Sequence, residues 1–236
     1  MQKIYGKNVI KEAIYAKHLI EQIFLEEGFD KKEKNLFELV KKSNIAFKFV
    51  NKKEMDKTFQ GLHQGIGAYA SDYEYYDLLD IIDENKKQYF LILDGLEDPQ
   101  NLGAILRTCD ATGLDGIIIP KNRTVSLNPT VAKVSVGAIE YVKLIQVNNL
   151  NKAIDTLKEK GFWIYGTDML GDKDYTDIDV SSSMAVIIGS EGFGMSRLVK
   201  EKCDYLVSIP MVGHVNSLNA SVSAAIFMYE ILRKKQ

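Results

Sequence analysis

Tyr89-Phe90-Leu91-Ile92-Leu93-Asp94-Gly95-Leu96-Glu97-Asp98-Pro99-Gln100-Asn101-Leu102-Gly103-Ala104-Ile105-Leu106-Arg107 decides the fold. An unbroken apolar run over 89–93 is the pattern of a strand buried on both faces. It empties into a polar, proline-containing turn, and a helical segment follows over 102–112. The alternation recurs down the chain. Apolar strands are expected at 116–119, 142–147, 162–166, 185–188 and 205–209, with helices at 129–137, 149–160, 195–202 and 219–234. Apolar strands alternating with helices imply an α/β fold whose parallel sheet is covered on both faces.

Upstream the rhythm differs. Helical spacing over 8–16, 33–42 and 52–59 alternates with strand-like segments at 23–25, 46–50 and a glycine-punctuated 61–69. A smaller α/β domain is therefore expected over 1–70, an acidic linker over 71–87, and a larger domain over 88–236. Charge marks the same boundaries: residues 1–70 carry 13 Lys against 9 acids, while 71–90 carry 2 Lys against 6 acids. The whole chain has a net charge of −2, which argues against a non-specific nucleic-acid coat. At 46% hydrophobic and 26% charged it is no disordered chain. No apolar run approaches the ~20 residues a membrane helix needs. Cys109 and Cys203 have no partner at metal-ligand spacing, so a reduced, cytoplasmic protein is expected.

Three loops carry the polar side chains that could do chemistry. In a parallel sheet ligands bind at the carboxyl ends of strands, which is where all three lie. In the first, Asn101 stands at a helix start and Arg107 follows six residues later. The plain alternative is a helix cap and a surface ion-pair partner. The second is Gly189-Ser190-Glu191-Gly192-Phe193-Gly194-Met195. It matches neither the dinucleotide fingerprint nor the phosphate loop, and Glu191 would repel phosphate. Ribose hydroxyls or a cationic centre suit it better. The third runs from Ile209-Pro210-Met211 through Ser217-Leu218-Asn219-Ala220-Ser221-Val222, with a helix beginning near Asn219. His18, His63 and His214 have no metal-ligand pattern, and Trp163 is expected in the core.

Taken together, the order and spacing of these loops closely resemble the three motifs of the SpoU (TrmH-like) RNA 2′-O-ribose methyltransferases, within the SPOUT superfamily. Tyr5-Gly6 and Val9, His63-Gln64-Gly65 and Ile92-Leu93-Asp94-Gly95 extend the likeness over the whole chain, which is most similar to the RlmB type. The resemblance implies a catalytic domain with a deep carboxyl-terminal trefoil knot, a ribosomal-protein-like RNA-binding domain ahead of it, and a homodimer. It implies S-adenosylmethionine as cofactor, without metal, held by Gly189, Gly192, Ile209, Met211, Ser217 and Leu218. It places Arg107, Asn101, Glu191, Ser217 and Asn219 in the catalytic site. The substrate it implies is a guanosine ribose in 23S rRNA. A tRNA ribose and a non-catalytic RNA-binding protein are the alternatives. Lys7 and Lys11 are expected among the RNA contacts.

Overall fold

Short apolar strands and lysine-rich helices over the first seventy residues build a four-stranded sheet. They form β1 (Gln2–Tyr5), α1 (Lys7–Tyr15), β2 (Ile20–Glu26), α2 (Phe29–Lys32), α3 (Lys34–Lys42), β3 (Phe47–Val50), α4 (Lys52–Thr58) and β4 (Ile66–Ala70). A computed structural model describes all residues, Met1–Gln236. Strand order is β1-β4-β2-β3; β4 runs antiparallel to β1 and β2, and β3 lies parallel to β2 at an edge. Side chains alternate between the two faces of a strand. Phe24 of β2 and Val50 of β3 meet Met55 and Phe59 in one buried cluster. Gly67 of β4 makes that possible, because a Cβ there would stand 2.7 Å from the Phe59 ring.

The remaining elements are α5 (Leu78–Ile81), β5 (Tyr89–Asp94), α6 (Pro99–Thr112), β6 (Gly116–Pro120), α7 (Pro129–Val134), β7 (Leu144–Val147), α8 (Leu150–Glu159), β8 (Trp163–Thr167), β9 (Lys173–Asp174), β10 (Met184–Gly189), α9 (Arg197–Lys202), β11 (Tyr205–Ser208) and α10 (Ala220–Lys235). Seven strands make one parallel sheet, in the order β7-β6-β5-β10-β8-β11-β9. The α/β class expected from the apolar runs holds. β5 and β10 lie side by side in the middle of it, buried along all but their last residues. The two-residue β9 has no strand signature in the sequence. Trp163 is 42% exposed, not core: it lies tilted against Tyr205 on the neighbouring β11.

Compactness separates Met1–Tyr73 with Leu127–Tyr141 from Glu74–Ser126 with Val142–Gln236. The first unit thus includes α7, which packs on β1. A buried polar clamp holds this segment in place. His18, just beyond α1, has Nδ1 at 2.9 Å from Glu140 Oε2 and Nε2 at 3.0 Å from both Ser71 O and Ser71 Oγ. The two side chains are only 10% and 4% exposed. Burial raises the Tyr73 hydroxyl above its usual range, and the Glu140 carboxylate adds to the effect, so Tyr73 stays neutral beside the pair. Removing one partner of a buried pair leaves the other desolvated and unpaired. Glu140→Ala is expected to lower stability by roughly 3 kcal/mol in chemical denaturation. The joint His18→Leu/Glu140→Leu variant should lose less; an equal or larger loss would show that the pair itself is not what stabilises the segment.

Candidate active site

Every polar loop singled out in the sequence leaves the carboxyl end of a strand in this parallel sheet. β10 sits between β5 and β8, so the chain turns to opposite sides of the sheet from neighbouring strands, the kind of crevice where α/β folds bind ligands. Strand register sets Gly189 opposite Asp94, and Asp94 Oδ2 accepts from the Ser196 amide at 2.7 Å. The loop after β10 is therefore fixed at both ends.

Backbone geometry shapes the loop itself. Ser190 and Gly194 exchange two backbone hydrogen bonds of 3.0 and 2.9 Å, closing a tight turn. A Cβ on Gly189 would lie 2.3 Å from Gly194 C and Met195 N, so only glycine lets the turn fold back on its own strand. Gly192 and Gly194 are needed for a different reason, positive φ of 90° and 68°.

Glu191 projects from this turn and gathers the other two loops. Its Oε1 accepts from Asn101 Nδ2 at 3.0 Å, from Asn219 Nδ2 at 2.7 Å and from the Ala220 amide at 3.2 Å. Asn219 Nδ2 also donates to Asn101 Oδ1 at 3.0 Å. Asn219 Oδ1 faces its own helix, accepting from the Ser221 and Val222 amides as the N-cap of α10. Asn101 does not cap α6. Asp98 does, accepting from the Gln100 amide at 2.9 Å, because Pro99 takes the first helical position and starts the helix earlier than expected. Asn101 falls inside the first turn, 5% exposed, and both ends of its amide are spent on Glu191 and Asn219.

Arg107 stands apart from that cluster. It is exposed on α6 and engages no carboxylate, so it is not the surface ion-pair partner that spacing allowed. Ser217 is also exposed, at the mouth of a cavity of roughly 530 Å³. Gly189, Gly192, Ile209, Met211, Ser217 and Leu218, the residues named for a cofactor, all line this cavity. So does Glu191. A second cavity, of roughly 630 Å³, lies on the other side of the loop and shares Ser190, Glu191, Phe193 and Gly194 with it.

The first cavity also has a wall that sequence reasoning missed: Thr167 at the end of β8, Asp168, Met169 and Leu170 after it, and Phe227 of α10. Asp168 pairs with Lys200 at 2.6 Å and accepts from the Leu170 amide at 2.8 Å. Partial burial works to raise its pKa, but these two contacts outweigh it and hold the carboxyl below its usual range. Its position just past a parallel strand was the available signal. Neither thiol is poised for chemistry: burial pushes Cys109 up to about 12 and Cys203 up to about 11. No group of three or more His, Cys, Asp or Glu side chains is placed to hold a metal ion.

Comparison with known proteins agrees with this geometry. Residues 88–229 match the SpoU rRNA Methylase family, and residues 3–76 match the RNA 2′-O ribose methyltransferase substrate-binding domain. A protein of Staphylococcus aureus (strain COL), named for the TrmH family of tRNA/rRNA methyltransferases, is 49% identical over 98% of this chain and 96% of its own. The SpoU methyltransferase AviRb from Streptomyces viridochromogenes, solved in complex with AdoMet, superposes with a TM-score of 0.84 at 24% identity, over 99% of this chain and 90% of its own. The A. aeolicus TrmH/SpoU tRNA modifying enzyme superposes with a TM-score of 0.58 at 27% identity, over 64% of this chain and 76% of its own. The matched families, the near full-length likeness and the motif loops joined at Glu191 place this chain in the SpoU methylase family of RNA methyltransferases.

Proposed function

We propose that the protein transfers a methyl group from S-adenosylmethionine to the 2′-oxygen of a guanosine ribose in 23S rRNA. The observation that carries this reading is the joining of Asn101 and Asn219 to Glu191, which lines the glycine-walled cavity. The cavity fits the cofactor on several counts. Its volume suits a small molecule. Gly189 and Gly192 let a ligand approach backbone, Ile188, Ile209, Leu218 and Phe227 offer apolar faces, and Glu191 favours a cation. AviRb, with the same fold, was solved with AdoMet bound.

S-adenosylmethionine supplies a methyl group on a sulfonium, ready for direct displacement without a metal. The protein must then hold the ribose 2′-oxygen in line and accommodate the charge that develops as its proton leaves. Arg107 fits the second task. A guanidinium stays protonated in proteins, so it stabilises the developing oxyanion rather than taking the proton. Asn101 gives one of its two amide N–H groups to Glu191 and acts by fixing that carboxylate. Glu191 Oε2 is free of the three contacts made by Oε1 and is available to a ribose hydroxyl. Ser217 and Asn219 complete the polar rim.

The extent of the tRNA enzyme's likeness supports rRNA over tRNA. It covers 64% of this chain, whereas a Sinorhizobium meliloti rRNA methyltransferase, with a TM-score of 0.83 at 22% identity, covers 98%. A homodimer is supported by apolar side chains left open around the cavity, among them Leu170 at 86%, Phe193 at 95% and Val212 at 102% exposure. The segments 167–170, 189–194 and 209–218 converge on one cavity, which supports the knotted path that the family resemblance implies. No helix is long and apolar enough to cross a membrane. A cytoplasmic site of action fits an enzyme of ribosomal RNA.

The first test is transfer of a labelled methyl group to total unmodified RNA, with the modified nucleosides identified by mass spectrometry. Label should appear as 2′-O-methylguanosine in large-subunit rRNA. Arg107→Ala should lower it by about a hundredfold or more. Label in tRNA would move the substrate, and no label despite cofactor binding would leave an RNA-binding protein. In a second test, S-adenosylhomocysteine should raise the melting temperature of the wild type. Gly189→Ala, whose Cβ displaces the 190–194 turn, should abolish that rise; an unchanged rise would place the cofactor elsewhere.

A further inference from the structure

The first unit concentrates positive charge in one stretch. Residues 31–60 hold nine lysines against four acids, whereas residues 1–30 hold four lysines against five. The segment folds into the end of α2, then α3, β3 and α4. Lys41 pairs with Glu38 and Lys48 with Glu54, but Lys31, Lys32, Lys34, Lys42, Lys52, Lys53 and Lys57 form no ion pair. Lys7 and Lys11, expected among the RNA contacts, pair with Glu33 and Glu12. These seven unpaired lysines lie on α2, α3 and α4.

An aromatic surface lies within this stretch. Phe47 and Phe49 share one face of β3, the edge strand, and their centroids are 5.7 and 5.8 Å from that of Phe37 on α3. In register they extend the row of Ile23 and Leu25, both fully buried. Phe47 and Phe49 are nevertheless 36% and 43% exposed. Lys41 stands 5.4 Å over the Phe37 ring, so the cationic and aromatic groups interleave. A small domain has little apolar surface to spare, and open phenyl rings in a stretch with nine lysines against four acids are the composition of a surface that stacks bases and tracks phosphates.

We propose that the edge formed by Phe37, Phe47 and Phe49, in a stretch with nine lysines against four acids, binds an unpaired RNA segment, with bases stacked on Phe47 and Phe49. This rests on RNA being the substrate and names the surface that holds it. A partner of neutral or cationic character would not match the net charge, and a duplex offers no free base to stack. Stacking tolerates any base, so this edge supplies affinity for looped RNA and leaves the choice of nucleotide to the methyl-transfer site.

The test uses the full chain and a short, fluorescein-labelled single-stranded oligoribonucleotide, with a blunt duplex of the same sequence as comparison. The wild type should bind the single strand more tightly. Phe47→Leu/Phe49→Leu, which keeps apolar bulk and removes both rings, should weaken single-strand binding by about tenfold to a hundredfold. Phe47→Tyr/Phe49→Tyr should retain it, which separates stacking from folding. Lys52→Gln/Lys53→Gln should weaken both forms and flatten the salt dependence. Three results overturn the proposal: single-strand affinity of the leucine variant within about twofold of wild type, a wild-type preference for duplex, or a change in oligomeric state on the leucine substitutions, which would place a second copy on this edge. Methyl transfer measured in parallel keeps the two readings apart. Wild type that binds RNA but transfers no methyl group defeats the enzyme reading and leaves the surface standing. Active wild type with an unaffected leucine variant defeats the surface alone.

Discussion

One carboxylate oxygen organises the catalytic domain. Glu191 Oε1 accepts from Asn101, Asn219 and the Ala220 amide, so loops following three different strands meet at a single acceptor. No cation pairs with it; neutral donors replace the water it would otherwise hold. Ala220 is also the first residue of α10, so the negative charge rests on the N-terminus of a sixteen-residue helix, where the backbone dipoles favour it. Asn219 serves both ends of the junction: its oxygen caps the helix and its amide nitrogen binds the carboxylate. The donors that terminate a helix thus also fix the active-site geometry.

That junction is only as rigid as the loop bearing Glu191, and the loop takes its rigidity from the sheet. Gly189 ends a strand flanked on both sides by parallel neighbours, and the missing Cβ lets Gly194 fold back to within bonding distance of Ser190. Asp94, across the register from Gly189, holds the Ser196 amide and closes the far side. Small glycines and short acidic side chains achieve this because the backbone itself must come close. Larger residues would push the turn away from the strand and Glu191 away from its donors.

The sheet and its loops were legible in the sequence because continuous apolar strands have few alternatives and polar loops at their carboxyl ends stand out against them. Details that depend on three-dimensional neighbours were not. Asn101 reads as a helix cap because its side-chain chemistry suits one, but Pro99 starts the helix three residues earlier and hands that role to Asp98. Trp163 reads as core because it sits in an apolar run, yet its strand end is open and the ring lies at 42% exposure against Tyr205. Asp168 passed unnoticed because a lone acid after a strand carries no motif; only its pairing with Lys200 and its place on the cavity wall distinguish it. Leu127–Tyr141 falls within the sequence of the larger domain and packs with the smaller, through contacts such as His18 with Glu140 that lie 122 residues apart. Local pattern cannot reveal a pairing at that separation.

Charge distribution follows from the same separation of tasks. The loops around Glu191 are acidic, with Asp94, Glu97 and Asp98 lining the adjacent cavity. That suits a cationic methyl donor and repels the phosphates of an RNA substrate. A site built this way cannot also supply most of the attraction for a polyanion. The compensating charge has to sit elsewhere on the chain, and it does: the nine lysines of residues 31–60 stand in a unit that lends no residue to the catalytic cluster. A net charge of −2 is therefore no obstacle to acting on RNA. The total conceals an acidic surface for chemistry and a basic, aromatic one for affinity, and either could change its strength without disturbing the other.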